Sequence, residues 1–150
     1  MNVMFVCTGN TCRSPMAEGF LKKLVSDSGK DGINVCSRGL AAATGESASK
    51  NSIIAAAEHG VNISSHASCQ LSIEDVQSAD LILTMTASHA SAIKSAVPDA
   101  KNKVFSLSQY VASSDISDPY GGNIEVYRKS ASEIMDAVKK VFLKLSDESQ

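Results

Sequence analysis

Cys7-Thr8-Gly9-Asn10-Thr11-Cys12-Arg13-Ser14 follows the apolar run Val3-Met4-Phe5-Val6 and precedes Pro15, a residue suited to the first turn of a helix. A thiol therefore stands where a strand ends and a helix begins. The five residues between Cys7 and Arg13 are Gly and small types, enough chain to curl around a tetrahedral oxyanion. Helix N-termini hold unpaired N–H groups and a partial positive charge, which favours both a bound phosphate and a thiolate at Cys7. A thiolate is the nucleophilic form. Arg13 brings a planar fork that matches two phosphate oxygens, and its charge counters what builds up on them during transfer. Gly9 is expected to supply a positive φ for the turn, while Asn10 tolerates a left-handed backbone and offers an amide to lock the loop. Ser14 can donate to the sulfur or merely cap the helix.

A bland reading competes with this one, because a cysteine ending a buried strand is often a small hydrophobe. Strand, Cys-x5-Arg, Ser-Pro and following helix agree with one another, however, and favour an anion-binding loop built from Thr8, Gly9, Asn10, Thr11, Cys12, Arg13 and Ser14 around Cys7.

Positioning such a loop requires a scaffold, and hydrophobic periodicity supplies its outline. Strands are expected at 2–6, 33–37, 80–85 and 103–106, with helices at 15–26, 47–59, 87–95 and 124–145. Ser72-Ile73-Glu74-Asp75 reads as a capping element opening a further helical turn. In the second helix Ile53, Ile54 and Ala57 form the expected apolar face. In the last, Val126, Ile134, Val138, Val141, Phe142 and Leu145 do. Strands alternating with helices imply an α/β fold: a single open parallel sheet of about four strands with helices on both faces. Ligands of such sheets bind beyond the strand carboxyl ends, where Cys7 falls.

The 150 residues, 43% hydrophobic, are expected to form one domain over residues 1–150 that buries roughly 70% of its unfolded surface. A net charge of −2 gives no basic footprint for nucleic acid, and no apolar run approaches membrane-spanning length. The first apolar stretch is too short for a secretion signal and leads straight into the loop. Cysteines at 7, 12, 36 and 69 lack zinc-type spacing, which leaves no metal expected and points to a reducing cytoplasm. His59 is expected to end a helix and His89 to stand exposed on one. Asp115 reads as a solvated loop acid.

The string from Val6 to Glu18 resembles the signature of the low-molecular-weight protein tyrosine phosphatases. Asp118-Pro119-Tyr120 is similar to that family's late Asp-Pro-Tyr element, Ser37-Arg38-Gly39 to its serine turn, and Asp80 to Met85 to its central strand. The resemblance implies Cys7 as nucleophile, Arg13 as phosphate clamp and Asp118 as general acid. Asn10, Ser14, Ser37 and His66 would support them, His66 either through a hydrogen bond behind the loop or not at all. It also implies that Cys12 is the neighbour able to trap an oxidised nucleophile as a disulfide. Cys69 departs from the basic residue many relatives carry there. Thr11, in place of an aliphatic residue, and Thr84-Met85-Thr86 resemble the protein-arginine phosphatase branch, with Tyr120 flanking either substrate. No cofactor is implied; the partner is a phosphorylated protein, with inorganic phosphate as product and inhibitor.

Other chemistries use similar cradles. Arsenate reductases of this build pass electrons along a downstream cysteine pair, whereas this chain has no cysteine after Cys69. A catalytically weak phosphate-binding module or a phosphocysteine carrier of a sugar-uptake system would not need the Asp-Pro-Tyr donor.

Overall fold

The computed structural model describes residues 1–148. Four strands, β1 (Asn2–Cys7), β2 (Asn34–Gly39), β3 (Leu81–Thr84) and β4 (Val104–Ser106), form one sheet in the order β2-β1-β3-β4. All three pairings are parallel. The order reverses beside β1, whose last residue is Cys7, so the thiol lies at the switch point of the sheet.

The helices are α1 (Arg13–Ser28), α2 (Lys50–Glu58), α3 (Ile73–Ser78), α4 (Ala87–Ala96), α5 (Leu107–Val111) and α6 (Ile124–Glu148), with a 3-10 turn at Pro98–Ala100. Alternation along β1 sends Val3, Phe5 and Cys7 to one face and Met4 and Val6 to the other. The first face packs on Met16, Phe20 and Leu21 of α1, Ala55 and Ala56 of α2 and Ile134, Val138 and Val141 of α6. The second meets Val76 of α3 and Ala90 and Ile93 of α4. A parallel sheet covered on both faces needs apolar residues on both, which accounts for unbroken runs such as Leu81-Ile82-Leu83.

Boundaries and faces depart from the sequence expectation in instructive places. α1 begins at Arg13, two residues before Pro15; a third-position proline is tolerated because that N–H has no intrahelical acceptor. It ends at Gly29, whose φ of 71° closes the C-terminus. β2 runs from Asn34 to Gly39, so Ser37 and Gly39 belong to a strand rather than a turn. α2 buries Ser52, Ala55 and Ala56, while Ile54 is exposed and Ile53 only half-buried. Small residues fill this interface. In α6 the buried member of the first turn is Tyr127, and Val126 is exposed. Helix α5 was absent from the expected elements, although Ser106 and Gln109 form a capping box that signals it.

Side chains cap most of these helices. Ser49, Ser72, Thr86 and Ser106 accept N–H groups at the starts of α2 to α5, and Asn123 accepts the Val126 N–H at the start of α6. The N-cap of α1, Cys12, provides no side-chain cap.

Candidate active site

The loop from Cys7 to Arg13 forms the floor of a cleft of about 350 Å³ lined also by Ala41, Glu46, Asp118 and Tyr120. Among the described residues, no acceptor meets the backbone N–H groups of residues 8 to 12. Five consecutive free donors at the start of an uncapped helix make a site for an anion.

The loop is held from outside by its carbonyls. Leu40 N–H donates to Cys7 O at 3.0 Å, Ala41 N–H to Thr8 O at 2.9 Å and Ser49 N–H to Thr11 O at 2.8 Å. Ser52 Oγ donates to Cys12 O at 3.3 Å. The approach of β2 depends on Gly39, where a Cβ would stand 2.7 Å from Thr8 O and 3.0 Å from Asn10 N. Gly9 does not carry the expected positive φ; Asn10 does, at 57°. Of the two residues able to take the left-handed turn, Asn10 does so, its side chain bonding into the protein and stabilising that conformation.

Asn10 is completely buried, and its partners fix its orientation. The Cys69 N–H donates to Asn10 Oδ1 at 2.9 Å, so the amide nitrogen faces the other way and donates to Ser14 Oγ at 2.8 Å and Ser37 Oγ at 2.9 Å. Both hydroxyls accept from Asn10 and keep their own hydrogens. Ser37 donates its hydrogen to Glu18 Oε1 at 2.5 Å. Ser14 is thereby left to donate toward Cys7 Sγ, 2.9 Å away, the orientation that stabilises negative charge on sulfur. Of the two readings open for Ser14, contact with the sulfur is the one observed. The loop uses only the backbone of Cys69, so the departure from a basic side chain there leaves this bond intact.

His66 lies behind the loop, where Nε2 donates to Asn10 O at 2.7 Å. Arg13, 4% exposed, donates from Nη1 to Ile116 O at 3.0 Å and places Nη2 3.7 Å from Asp118 Oδ2. Asp118 Oδ1 accepts the Tyr120 N–H at 3.0 Å, and Tyr120 stands 81% exposed at the rim. Thr11 lines the cleft, and among the described residues its Oγ1 has the Cys12 sulfur as its one hydrogen-bond partner, at 3.8 Å. Cys12 Sγ in turn lies 3.5 Å from Tyr127 OH, and burial, with Cys12 alongside, pushes the tyrosine above its ordinary range.

Three participants escaped the sequence reading. Glu18 completes the Asn10 network; it closes the Val6 to Glu18 string but was given no role of its own. Gly39 admits the loop. His89, expected to be exposed, is buried, with Nε2 3.0 Å from Thr8 Oγ1. Periodicity misplaced it because α4 turns its first turn toward the loop. Asp115 is exposed as expected, yet it accepts from Ser108 Oγ at 3.0 Å and Ala87 N–H at 3.4 Å.

The family model for "low molecular weight phosphotyrosine protein phosphatase" matches residues 2–150. The protein-arginine-phosphatase of Geobacillus stearothermophilus is 40% identical over 148 residues, 97% of each chain. The low molecular weight protein-tyrosine-phosphatase PtpB of Staphylococcus haemolyticus is 42% identical, covering 94% of this chain and 97% of its own. A solved Cys-to-Ser variant of the YwlE arginine phosphatase with a phosphorylated active-site serine superposes with a TM-score of 0.92 at 36% identity, covering 97% of this chain and 96% of the other. With its cradle, buried arginine and parallel sheet, this chain belongs to the low-molecular-weight phosphotyrosine protein phosphatase family.

Proposed function

We propose that the protein is a cysteine-dependent phosphatase that hydrolyses phosphorylated protein side chains, phosphoarginine ahead of phosphotyrosine. One observation carries the chemistry: the Asn10 amide turns the Ser14 hydroxyl onto the Cys7 sulfur beneath five free N–H donors. Such a sulfur is prepared to attack an anion held above it.

In the first step the Cys7 thiolate attacks phosphorus in line, forming the S–P bond as the bond from phosphorus to the leaving nitrogen or oxygen breaks. Asp118 gives its proton to that leaving atom. The loop N–H groups and the Arg13 fork hold the charge spread over the equatorial oxygens. Water then attacks the phosphocysteine, Asp118 takes a proton from it, and thiolate and inorganic phosphate are released. The return of the sulfur to an anionic leaving group is eased by the Ser14 donor. Phosphate, being the cradle's own ligand, acts as product inhibitor.

The leaning to phosphoarginine rests on Thr11, whose hydroxyl faces the cleft and suits a guanidinium nitrogen better than a phenol ring. The similarity to a protein-arginine-phosphatase over 97% of the chain supports it. Thr86, which also suggested that branch, serves as the N-cap of α4, a task aspartate performs as well. Turnover of phosphoarginine and phosphotyrosine peptides by the parent and by Thr11→Ile tests the preference. The parent should favour phosphoarginine and the variant reverse the order; an unchanged ratio would remove the assignment.

A further inference from the structure

His89 is 9% exposed and makes one side-chain hydrogen bond, between Nε2 and Thr8 Oγ1 at 3.0 Å. Its Nδ1 is buried with no partner among the described residues. Burial and the nearby Arg13 charge hold the imidazole below the usual histidine range, against Asp118 and Asp115, which act the other way. The ring is therefore neutral at pH 7 and carries one hydrogen.

That hydrogen has two possible seats. On Nδ1 it would be a buried N–H with no acceptor. On Nε2 it bonds Thr8, and the orphan is a bare nitrogen lone pair. Buried unpaired N–H groups are the rarer and costlier defect, so the hydrogen sits on Nε2. Thr8 Oγ1 then accepts from His89 and its own hydrogen is left over. No other group among the described residues takes it. Thr8 immediately follows Cys7, its carbonyl is tied to Ala41, and its exposed side chain lines the cleft beside Cys7 and Arg13.

We propose that His89 is a positioning residue that fixes the Thr8 hydroxyl as a hydrogen-bond donor to the phosphoryl group held over Cys7. This assigns the side chain of Thr8, and not its backbone alone, to oxyanion binding, and it rests on the phosphatase reading above. A donor that meets the phosphoryl oxygens equally before and during transfer changes affinity more than turnover.

The test measures kcat and KM for an aryl phosphate, and calorimetric binding of inorganic phosphate, in the parent and in T8V, H89L, T8V/H89L and H89Q. T8V and H89L should each weaken phosphate binding and raise KM by roughly three- to tenfold, with kcat within about twofold. The double variant should be no weaker than either single one, because the two residues act through one bond. H89Q, whose amide N–H reaches the place of Nε2–H, should return to within about twofold of the parent. Phosphate affinity unchanged in T8V, additive losses in the double variant, or H89Q as weak as H89L would each overturn the proposal. If H89L does not fold, rescue of T8V by T8S decides the question alone: recovery supports the donor and no recovery refutes it. Calorimetry needs no turnover, so a parent that binds phosphate without hydrolysing esters would defeat the phosphatase reading while the His89–Thr8 pair remained open to this test.

Discussion

The two sides of the cleft are built in opposite ways. The floor, residues 7 to 14, has Cys7, Asn10, Cys12, Arg13 and Ser14 buried and is tied by five carbonyl bonds and the Asn10 side chain to the segment after β2, to the start of α2 and to the segment around His66. The wall that brings Asp118 and Tyr120 is anchored mainly upstream of them, at Asp115, Ile116 and Ser117. Ile116 is buried, its N–H bonds Met85 O at 3.1 Å, and its carbonyl accepts Arg13. Ser130 Oγ adds a bond to Ser117 O at 3.2 Å, after which Asp118, among the described residues, meets only the Tyr120 N–H and, in a long contact, Arg13. The difference separates two tasks. A nucleophile and its anion donors must be fixed before the substrate arrives, whereas an acid and an aromatic rim can adapt to the leaving group.

Substitutions on the two sides should therefore fail differently. The largest effect is expected from Cys7→Ser, which should abolish turnover while inorganic phosphate still binds; retained phosphatase activity under matched assay would end the covalent scheme. Asp118→Asn follows, with a loss of roughly 10²–10⁴ in rate. Its melting temperature should match the parent because the side chain is 55% exposed, and the rate loss should shrink for aryl phosphates with good leaving groups.

The floor should break through stability. Asn10→Ala strands the Cys69 N–H, removes the donor of two buried hydroxyls and places alanine at a φ of 57°. A loss of about 3 kcal/mol in urea unfolding is expected, with activity falling at temperatures where the fold survives. Gly39→Ala should cost about 2 kcal/mol through its clash with the Thr8 carbonyl. A normal stability for either would mean that the floor is less constrained than its bonds suggest.

The smallest effect concerns pH. Because burial lowers the His89 imidazole, the unfolded chain takes up a proton before the folded one as pH falls below about 6.5. Its share of stability is complete above that point and declines below it. H89Q should show a flatter decline than the parent in denaturation at pH 7.5 and pH 5.5, and identical slopes would remove histidine from the account.

The floor was also the more legible side. Cys7, Asn10, Arg13 and Ser14 lie within seven residues of one another, so their spacing alone brings them together. The sheet was legible for a similar reason: a strand buried on both faces is apolar throughout, and turns punctuate it. What escaped is set by contacts between distant segments. Nothing near His89 in sequence says that α4 will lean on Thr8, 81 residues away. Alanine and serine fill the buried face of α2, where periodicity favours the isoleucines. Asp118 was singled out through its Pro-Tyr context, and no sequence pattern placed it 3.7 Å from Arg13.

The uncapped start of α1 links catalysis to endurance. Where five other helices carry a serine, threonine or asparagine at that point, here, on the function proposed above, a bound oxyanion would complete the terminus, so that the ligand would serve as a piece of the fold. Resistance to heat should then climb with phosphate concentration, by about 1.4 kcal/mol for each tenfold rise beyond the dissociation constant. If phosphate is also the product inhibitor proposed above, the ion that slows turnover would at the same time preserve the fold.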